Sequence, residues 1–268
     1  MNKVELLTYP VVERKGHFND TGSFSIVIPA YNEENRISPI LKGLNGNESI
    51  KEIIVIFDGN DNTPKVAESI GKNIKVIKYS KKLGRGGAII EGLKAASGDV
   101  VVYADADNAA PWYEVLRLAK MVNEDNPCIV GSRWRRDSNL IKREGAFKIF
   151  VGRIWHYLIY FFLNVETKDV QCGLKCFSKE LISEVLPSIT TSNRLFDVDL
   201  IYNIKQKGYK IKEIGIDYNH NEDTKMPYIH MIPVMFLYLF GIRFAHSRFG
   251  QRFKKLLKLA SNKLNEFH

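Results

Sequence analysis

Two carboxylates one residue apart, Asp105 and Asp107, follow the apolar run Val100-Val-Val-Tyr103. A run of this kind predicts a strand, so both side chains should emerge together at its carboxyl end. Carboxylates placed that way can face one divalent ion, and an oxygen-rich site completed by phosphate and water suits Mg²⁺ or Mn²⁺. Such an ion would neutralise charge gathering on a departing diphosphate. Other ligand-handling groups occupy similar positions. Pro29, Tyr31 and Glu33 lie in Ser25-Ile-Val-Ile-Pro-Ala-Tyr-Asn-Glu-Glu34, where a strand runs straight into a helix start. Tyr31 can stack on a base, and Glu33 or the helix amino terminus can hold ribose or phosphate. Asp58 ends Ile54-Val-Ile-Phe-Asp-Gly-Asn60 and can accept from the donor edge of a nucleobase. Lys82-Leu-Gly-Arg-Gly-Gly-Ala88 sets Lys82 and Arg85 among glycines that let the backbone approach a phosphate. It is neither G-x-x-x-x-G-K-[ST] nor a full G-x-G-x-x-G, which counts against the P-loop and dinucleotide classes.

These groups share a topological setting. From Phe24 to Val130, short β-branched runs alternate with helical stretches, predicting parallel strands joined by crossover helices. The runs are Phe24 to Ile28, Ile53 to Phe57, Ile74 to Ile77, Val100 to Tyr103 and Cys128 to Gly131. Helices are expected after Glu33, Pro64, Gly84 and Pro111, with Pro111 suited to a first turn. Ligands of such α/β sheets bind beyond the carboxyl ends of the strands, which is where each motif falls.

After Gly131 the composition changes. Arg133, Arg135, Arg136, Lys142, Arg143, Lys148 and Arg153 face only Asp137 and Glu144, and an aromatic run, Ile154 to Leu163, follows. A second such run, Met231 to Ile242, is trailed by Arg243, Arg248, Arg252, Lys254, Lys255 and Lys258. Neither reaches the roughly 20 unbroken apolar residues of a spanning helix. They are expected either as buried core helices or as helices lying in a membrane interface, and their shared basic flanks favour the second. Residues 1–226 are then a catalytic domain and 227–268 carry amphipathic, basic helices that associate with a membrane.

The 268 residues, 45% of them hydrophobic, suffice for one well-filled α/β domain. A net charge of +9 favours anionic partners without choosing among nucleotides, phospholipids and nucleic acid. Cys128, Cys172 and Cys176 are too few and too uneven for a disulfide framework, so a reducing compartment is expected. Cys172-x-x-x-Cys176 on a strand points both thiols one way with no partner pair, which favours structural cysteines over zinc. Met1 to Gly22 is polar, with Glu5, Glu13, Arg14 and Lys15, and lacks the apolar core of a secretory signal; the expected setting is the cytoplasm.

In combination, IVIPAYNEE, IVIFDGN, LGRGGAIIEGLKAASGDVVVYADAD, GSR at Gly131 to Arg133, DVQCGLKCF at Asp169 to Phe177 and RLFDVDLIYNIKQKGYKIKEIGIDY resemble the family-two glycosyltransferases of the GT-A fold. The resemblance spans roughly Phe24 to Arg243. Gln171-Cys-Gly-Leu-Lys175 and Phe196-Asp-Val-Asp-Leu200 look most like the dolichyl-phosphate β-glucosyltransferases, with the dolichyl-phosphate mannose synthases close behind. It implies a Rossmann-like nucleotide-binding half with a mostly parallel mixed sheet. It implies a nucleotide-sugar donor as well, UDP-glucose ahead of GDP-mannose, and Mg²⁺ or Mn²⁺. Carried across, Pro29, Tyr31, Glu33 and Asp58 match nucleoside-binding positions, Asp105 and Asp107 the donor and metal carboxylates, and Gln171 with Gly173 part of the sugar pocket. Arg133, Arg143 and Lys148 match the region that receives a lipid phosphate. Two departures stand out. Many relatives have Asp-Asp-Gly-Ser where this chain has Asp58-Gly-Asn-Asp61, and Ala109 stands where mannose synthases place a polar residue that helps to hold metal. A third protein ligand would then be Asn108 or His220, or water and phosphate would serve.

The expected reaction is an inverting displacement at an anomeric carbon, with Lys82 and Arg85 beside the leaving diphosphate. The acceptor decides what Asp197 does. A sugar hydroxyl needs a general base, whereas a lipid monophosphate, with a second pKa of about 6, is already ionised and needs cations. The excess of Arg and Lys after Gly131 favours a polyprenyl or dolichyl phosphate at the cytoplasmic face of a membrane, with Asp197 orienting the donor sugar or an arginine. A saccharide hydroxyl acceptor and a non-catalytic nucleotide-sugar or nucleic-acid binder are the alternatives. The intact carboxylate pair and the apolar neighbours of the basic residues speak against the last, and no nucleic acid is expected.

Overall fold

The structure, a computed structural model, describes residues 23–142, 146–219, 228–245 and 250. Arg143, His220 and most of the basic tail lie outside the described residues. In the first half, β1 (Phe24–Ala30), α1 (Ser38–Leu44), β2 (Ile50–Phe57), α2 (Thr63–Glu68), β3 (Ile74–Lys78), α3 (Gly84–Ala95), β4 (Val100–Ala104), α4 (Trp112–Ala119) and β5 (Cys128–Ser132) alternate in chain order. The second half adds β6 (Asn139–Lys142), α5 (Ala146–Leu163), β7 (Leu174–Ser178), α6 (Lys179–Val185), α7 (Phe196–Gln206), β8 (Ile211–Gly215), β9 (Asp217–Asn219) and α8 (Tyr228–Ala245). All five strands expected from the first half are present. Pro111 precedes the helix it was expected to enter: it holds the extended cap position, and α4 starts at Trp112.

Seven strands form one sheet in the order β3-β2-β1-β4-β7-β5-β8, and β6 pairs with β9 in a small second sheet. The large sheet is parallel except for β7, which lies antiparallel between β4 and β5. The order turns back on itself between β1 and β4, the crevice where α/β sheets take their ligands. The strands carry near-continuous Val and Ile because both faces are covered. One face packs on α1, α2 and α4 through Ile26, Ile28, Ile53, Val55 and Val102. The other packs on α3 and α5–α8 through Val27, Ile54, Ile56 and Val101.

Helices α5 and α8 pack together, with the Phe162 ring 5.3 Å from Phe236 and 4.8 Å from Phe240. Each has two aromatic faces. Trp155, Ile159, Leu163, Tyr238, Leu239 and Ile242 are buried in the core. Tyr157, Tyr160, Phe161, Phe240 and Phe244 are exposed, Phe161 to 79%. Among the described residues, no helix is long and apolar enough to cross a membrane.

Candidate active site

The carboxyl ends of β1, β2 and β4 lie side by side, since Ala30 pairs with Phe57 and Val27 with Tyr103. Asp58 and the loop of Asp105 and Asp107 therefore meet at one edge, where the amino end of antiparallel β7 also arrives. Ala104 pairs with Leu174, so the next step of that register sets Gly173 against Asp105. The approach is close enough to exclude a side chain: a Cβ on Gly173 would lie 1.8 Å from Asp105 Oδ2.

Asp58 builds the neighbouring wall. Its Oδ2 accepts from the backbone N–H groups of Leu83 (2.7 Å) and Gly84 (3.0 Å), capping α3 at Gly84, whose φ of +69° favours glycine. Gly86 fits under the next loop only because it has no Cβ, which would come within 2.6 Å of the carbonyl oxygens of Ser192 and Asn193. The helix start then projects Arg85 across the site. Its Nε and Nη2 each lie 3.0 Å from Asp105 Oδ1, and its Nη1 lies 2.5 Å from Asp197 Oδ2.

Asp197, in the first turn of α7, is buried and fully engaged. Its Oδ1 accepts from Lys175 Nζ at 2.6 Å and from the Tyr103 hydroxyl. Lys175 also donates to the Cys172 carbonyl at 2.6 Å. Burial alone would push the Asp197 carboxyl up, but the Arg85 and Lys175 charges and the hydrogen bonds prevail and hold it at about 2. It is a carboxylate throughout the neutral range, with little appetite for a proton. Sequence patterns overlooked Lys175 and Tyr103. Lys175 carried a signal: it is the lone charge in the apolar strand Leu-Lys-Cys-Phe-Ser, and a fully buried lysine requires an anion.

Asp107 Oδ1 accepts from Ala109 N–H at 3.0 Å. Burial and the neighbouring Asp105 charge raise its pKa, so the pair would gain from a cation. These oxygen donors, in a cradle kept open by Gly173, fit Mg²⁺ or Mn²⁺. Among the described residues, no three His, Cys, Asp or Glu side chains gather as a metal cluster. Asn108, with φ +57°, has its side-chain oxygen engaged by Trp112 N–H at 3.0 Å, a contact that turns the chain into α4. Asn219, the last described residue before His220, donates its N–H to the Ala109 carbonyl at 2.8 Å.

The remaining sequence candidates separate into groups. Tyr31 is exposed at the rim, with Lys82 Nζ 4.0 Å from its ring centroid. Pro29 is buried in β1 opposite Ile56. Glu33 is gripped by Arg36 through two 2.8 Å bonds, and burial together with the Asp107 and Asp105 charges raises its pKa. Gln171 is part-buried in the turn leading to Gly173. Arg133, after β5, makes a forked ion pair with buried Asp169, Nε to Oδ2 and Nη2 to Oδ1 both at 2.7 Å, and lies 5.3 Å from the Tyr218 ring. Lys148 is carried by α5 with its side chain outside the description, so the three acceptor cations are not seen as a group. Cys172 and Cys176 face the same side of the sheet, and burial pushes the Cys172 thiol up to about 12.

Residues 25–186 match the model of glycosyl transferase family 2, more than half of the chain. The human dolichyl-phosphate beta-glucosyltransferase is 30% identical over 149 residues, 53% of this chain and 46% of that protein. Glycosyltransferase AglD of Haloferax volcanii is 28% identical over 153 residues, 56% of this chain and 24% of that protein. The chain thus spans about half the length, or less, of the curated relatives it matches. Among solved structures, glucosyl-3-phosphoglycerate synthase from Mycobacterium tuberculosis with Mg²⁺ and UDP superimposes with a TM-score of 0.62 at 18% identity, covering 82% of this chain and 79% of that one. The same enzyme with Mn²⁺, UDP-glucose and phosphoglyceric acid gives 0.60 at 16% identity, covering 82% and 79%. At these identities the likeness is one of fold, an α/β GT-A-like architecture.

Proposed function

The chain belongs to glycosyl transferase family 2, and from that premise we propose that it transfers glucose from UDP-glucose, with inversion, to a polyprenyl or dolichyl phosphate. The observation that carries this reading is the state of Asp197. Asp197, the candidate base of the sequence, is neutralised by Arg85 and Lys175 and held at about 2. A hydroxyl acceptor would need that base; a lipid phosphate supplies its own ionised oxygen. The phosphate oxygen attacks the anomeric carbon, the bond to the donor diphosphate breaks, and the nucleoside diphosphate leaves.

Each part of the site has work in this reaction. Tyr31 and Lys82 receive the base and phosphate edge of the donor. Gln171 and Gly173 border its sugar, and Gly173 fixes Asp105 beneath it. Asp107, with Asp105 and His220 from the segment following Asn219, would hold Mg²⁺ or Mn²⁺, which when bound neutralises the leaving diphosphate. Arg133 is set rigidly by Asp169, and together with Arg143 and Lys148 it would receive the acceptor phosphate. The exposed aromatic faces of α5 and α8 suit a membrane interface, the cytoplasmic one, where a carrier lipid presents its phosphate. The curated relatives named as dolichyl-phosphate beta-glucosyltransferases support the same donor sugar and acceptor.

The test incubates purified protein and Mn²⁺ or Mg²⁺ with a panel of nucleotide sugars and polyprenyl phosphate, and identifies the lipid product by mass. The expected product is a polyprenyl phosphate hexose formed best from UDP-glucose. Transfer to a saccharide hydroxyl with none to the lipid would overturn the acceptor, and preference for GDP-mannose would overturn the donor.

A further inference from the structure

We propose that Arg85 is an internal counter-ion that occupies the cation side of Asp105 until a divalent ion and the donor diphosphate bind, and then turns to the diphosphate; Asp197, Lys175 and Tyr103 position it for that exchange. The inference rests on the family-two reading of the site but not on the identity of sugar or acceptor.

Arg85 does not grip Asp105 as an ordinary fork. Nε and Nη2 converge on the single oxygen Oδ1, and Oδ2 lies beside Gly173, where an added Cβ would come within 1.8 Å of it. Arg85 thus holds Oδ1, and a metal ion that draws on this oxygen from the Asp107 side competes with the guanidinium for it. The charges favour exchange. With the Glu33–Arg36 pair beside them, Asp105, Asp107, Asp197 and Glu33 set four carboxylates against three cations, Arg36, Arg85 and Lys175. Lys175 and Asp197 neutralise each other and are buried, with side chains 0% and 2% exposed. Arg85 is 31% exposed, so it is the cation that can leave. A divalent ion at the aspartates makes the guanidinium redundant there, and a diphosphate arriving with the ion supplies it with a new anion. The grip of Asp197 on Nη1 keeps the side chain pointing across the site while this happens. Arginine suits the task because its planar fork can hold Asp197 and a second anion together, whereas the compact ammonium of lysine holds one point.

The experiment measures two affinities of the intact chain without turnover: Mn²⁺ alone, from the resonance of the free ion by electron paramagnetic resonance, and UDP at saturating Mn²⁺, by calorimetry. Arg85→Gln should bind Mn²⁺ alone about tenfold more tightly and UDP about tenfold more weakly, as expected when a cation near the metal is removed and a diphosphate ligand is lost. Arg85→Lys should also bind Mn²⁺ more tightly than the parent, because the ammonium held by Asp197 no longer spans to Asp105. General damage to the site would weaken both ligands. Arg85→Gln binding Mn²⁺ no more tightly than the parent would overturn the counter-ion assignment, and Arg85→Lys matching the parent would overturn positioning by Asp197. The Mn²⁺ measurement uses no nucleotide or lipid, so an error in the proposed donor or acceptor would leave it standing.

Discussion

Replacing Gly173 by alanine isolates the contact on which the donor pocket is built. The new Cβ would sit 1.8 Å from Asp105 Oδ2, about 1.5 Å inside ordinary van der Waals contact, and the carboxylate must retreat by that amount. Retreat also carries Oδ1 away from Arg85, which lies 3.0 Å from it through two nitrogens. The fold should tolerate the change: Gly173 is not among the glycines with positive φ, and the Asp105 side chain is 37% exposed and can swing toward solvent. A 1 Å misplacement in a reacting site costs about a hundredfold, or about 2.7 kcal/mol of transition-state stabilisation. Gly173→Ala is therefore expected to lose about a hundredfold in kcat/KM for lipid glycosylation with Tm nearly unchanged. Gly208→Ala provides the converse control, because φ there is +81° with nothing within 4 Å. It should lower Tm by strain and leave kcat/KM alone. Glycosyl transfer by Gly173→Ala within twofold of the parent would refute the idea that Gly173 sets Asp105.

Asp107→Asn should cost at least about a hundredfold in metal-dependent transfer, measured across a Mn²⁺ titration; full activity would remove Asp107 from the metal site. Loss of a true general base costs about 10²–10⁴-fold, so Asp197→Asn should lose only about tenfold if the acceptor is already ionised, and a larger loss with intact UDP binding would restore the base. The Asp197 carboxyl is depressed from an ordinary 3.8 to about 2, so its stabilisation is complete above pH 4 and is lost as pH falls through 2. Acid unfolding followed by circular dichroism should show Asp197→Asn lacking that step between about pH 4 and 2. Asp169→Ala removes the forked partner of Arg133 and should cost about 3 kcal/mol, or about 6 °C in Tm; a shift under 2 °C would show that the forked pair is dispensable. Tyr160→Ser together with Phe161→Ser changes exposed rings outside the contact between α5 and α8 and should weaken co-sedimentation with anionic lipid vesicles while leaving Tm unchanged. Unaltered sedimentation would take the membrane away from this face.

Local patterns made the first half of the fold legible. Val and Ile runs in β1, β2 and β4 declare strands covered on both faces, and the parallel crossover rule then sends Asp58 and Asp105 to one edge. Two things escaped that logic. Strand β7 enters the sheet antiparallel, between strands far from it in sequence, and no periodicity announces which neighbours it takes. Its register nonetheless gives Gly173 its meaning, since a glycine required by contact with Asp105 looks in sequence like one required by a turn. Asp197 was visible as an acidic residue but not as a spent one. Its state depends on Lys175 and Tyr103, which converge on it from β7 and β4, and on Arg85, 112 positions earlier.

The same convergence bears on chemistry. A carboxylate exposed in a cleft can act as a base, whereas one neutralised by a buried lysine and a partly exposed arginine can only hold them in place. The proposed choice between a hydroxyl and a phosphate acceptor is therefore made outside the Asp105–Asp107 loop, at a lysine in the middle of a strand. Lys175→Met tests that dependence directly. With Lys175 gone, Arg85 is, among the described residues, the one cation paired with both Asp197 and Asp105, and Asp197 should regain basicity. The expected signature is a fall in lipid transfer together with an acid limb in its pH profile that moves upward from that of the parent. An unchanged pH profile in a folded Lys175→Met protein would mean that Arg85 alone keeps Asp197 from acting as a base.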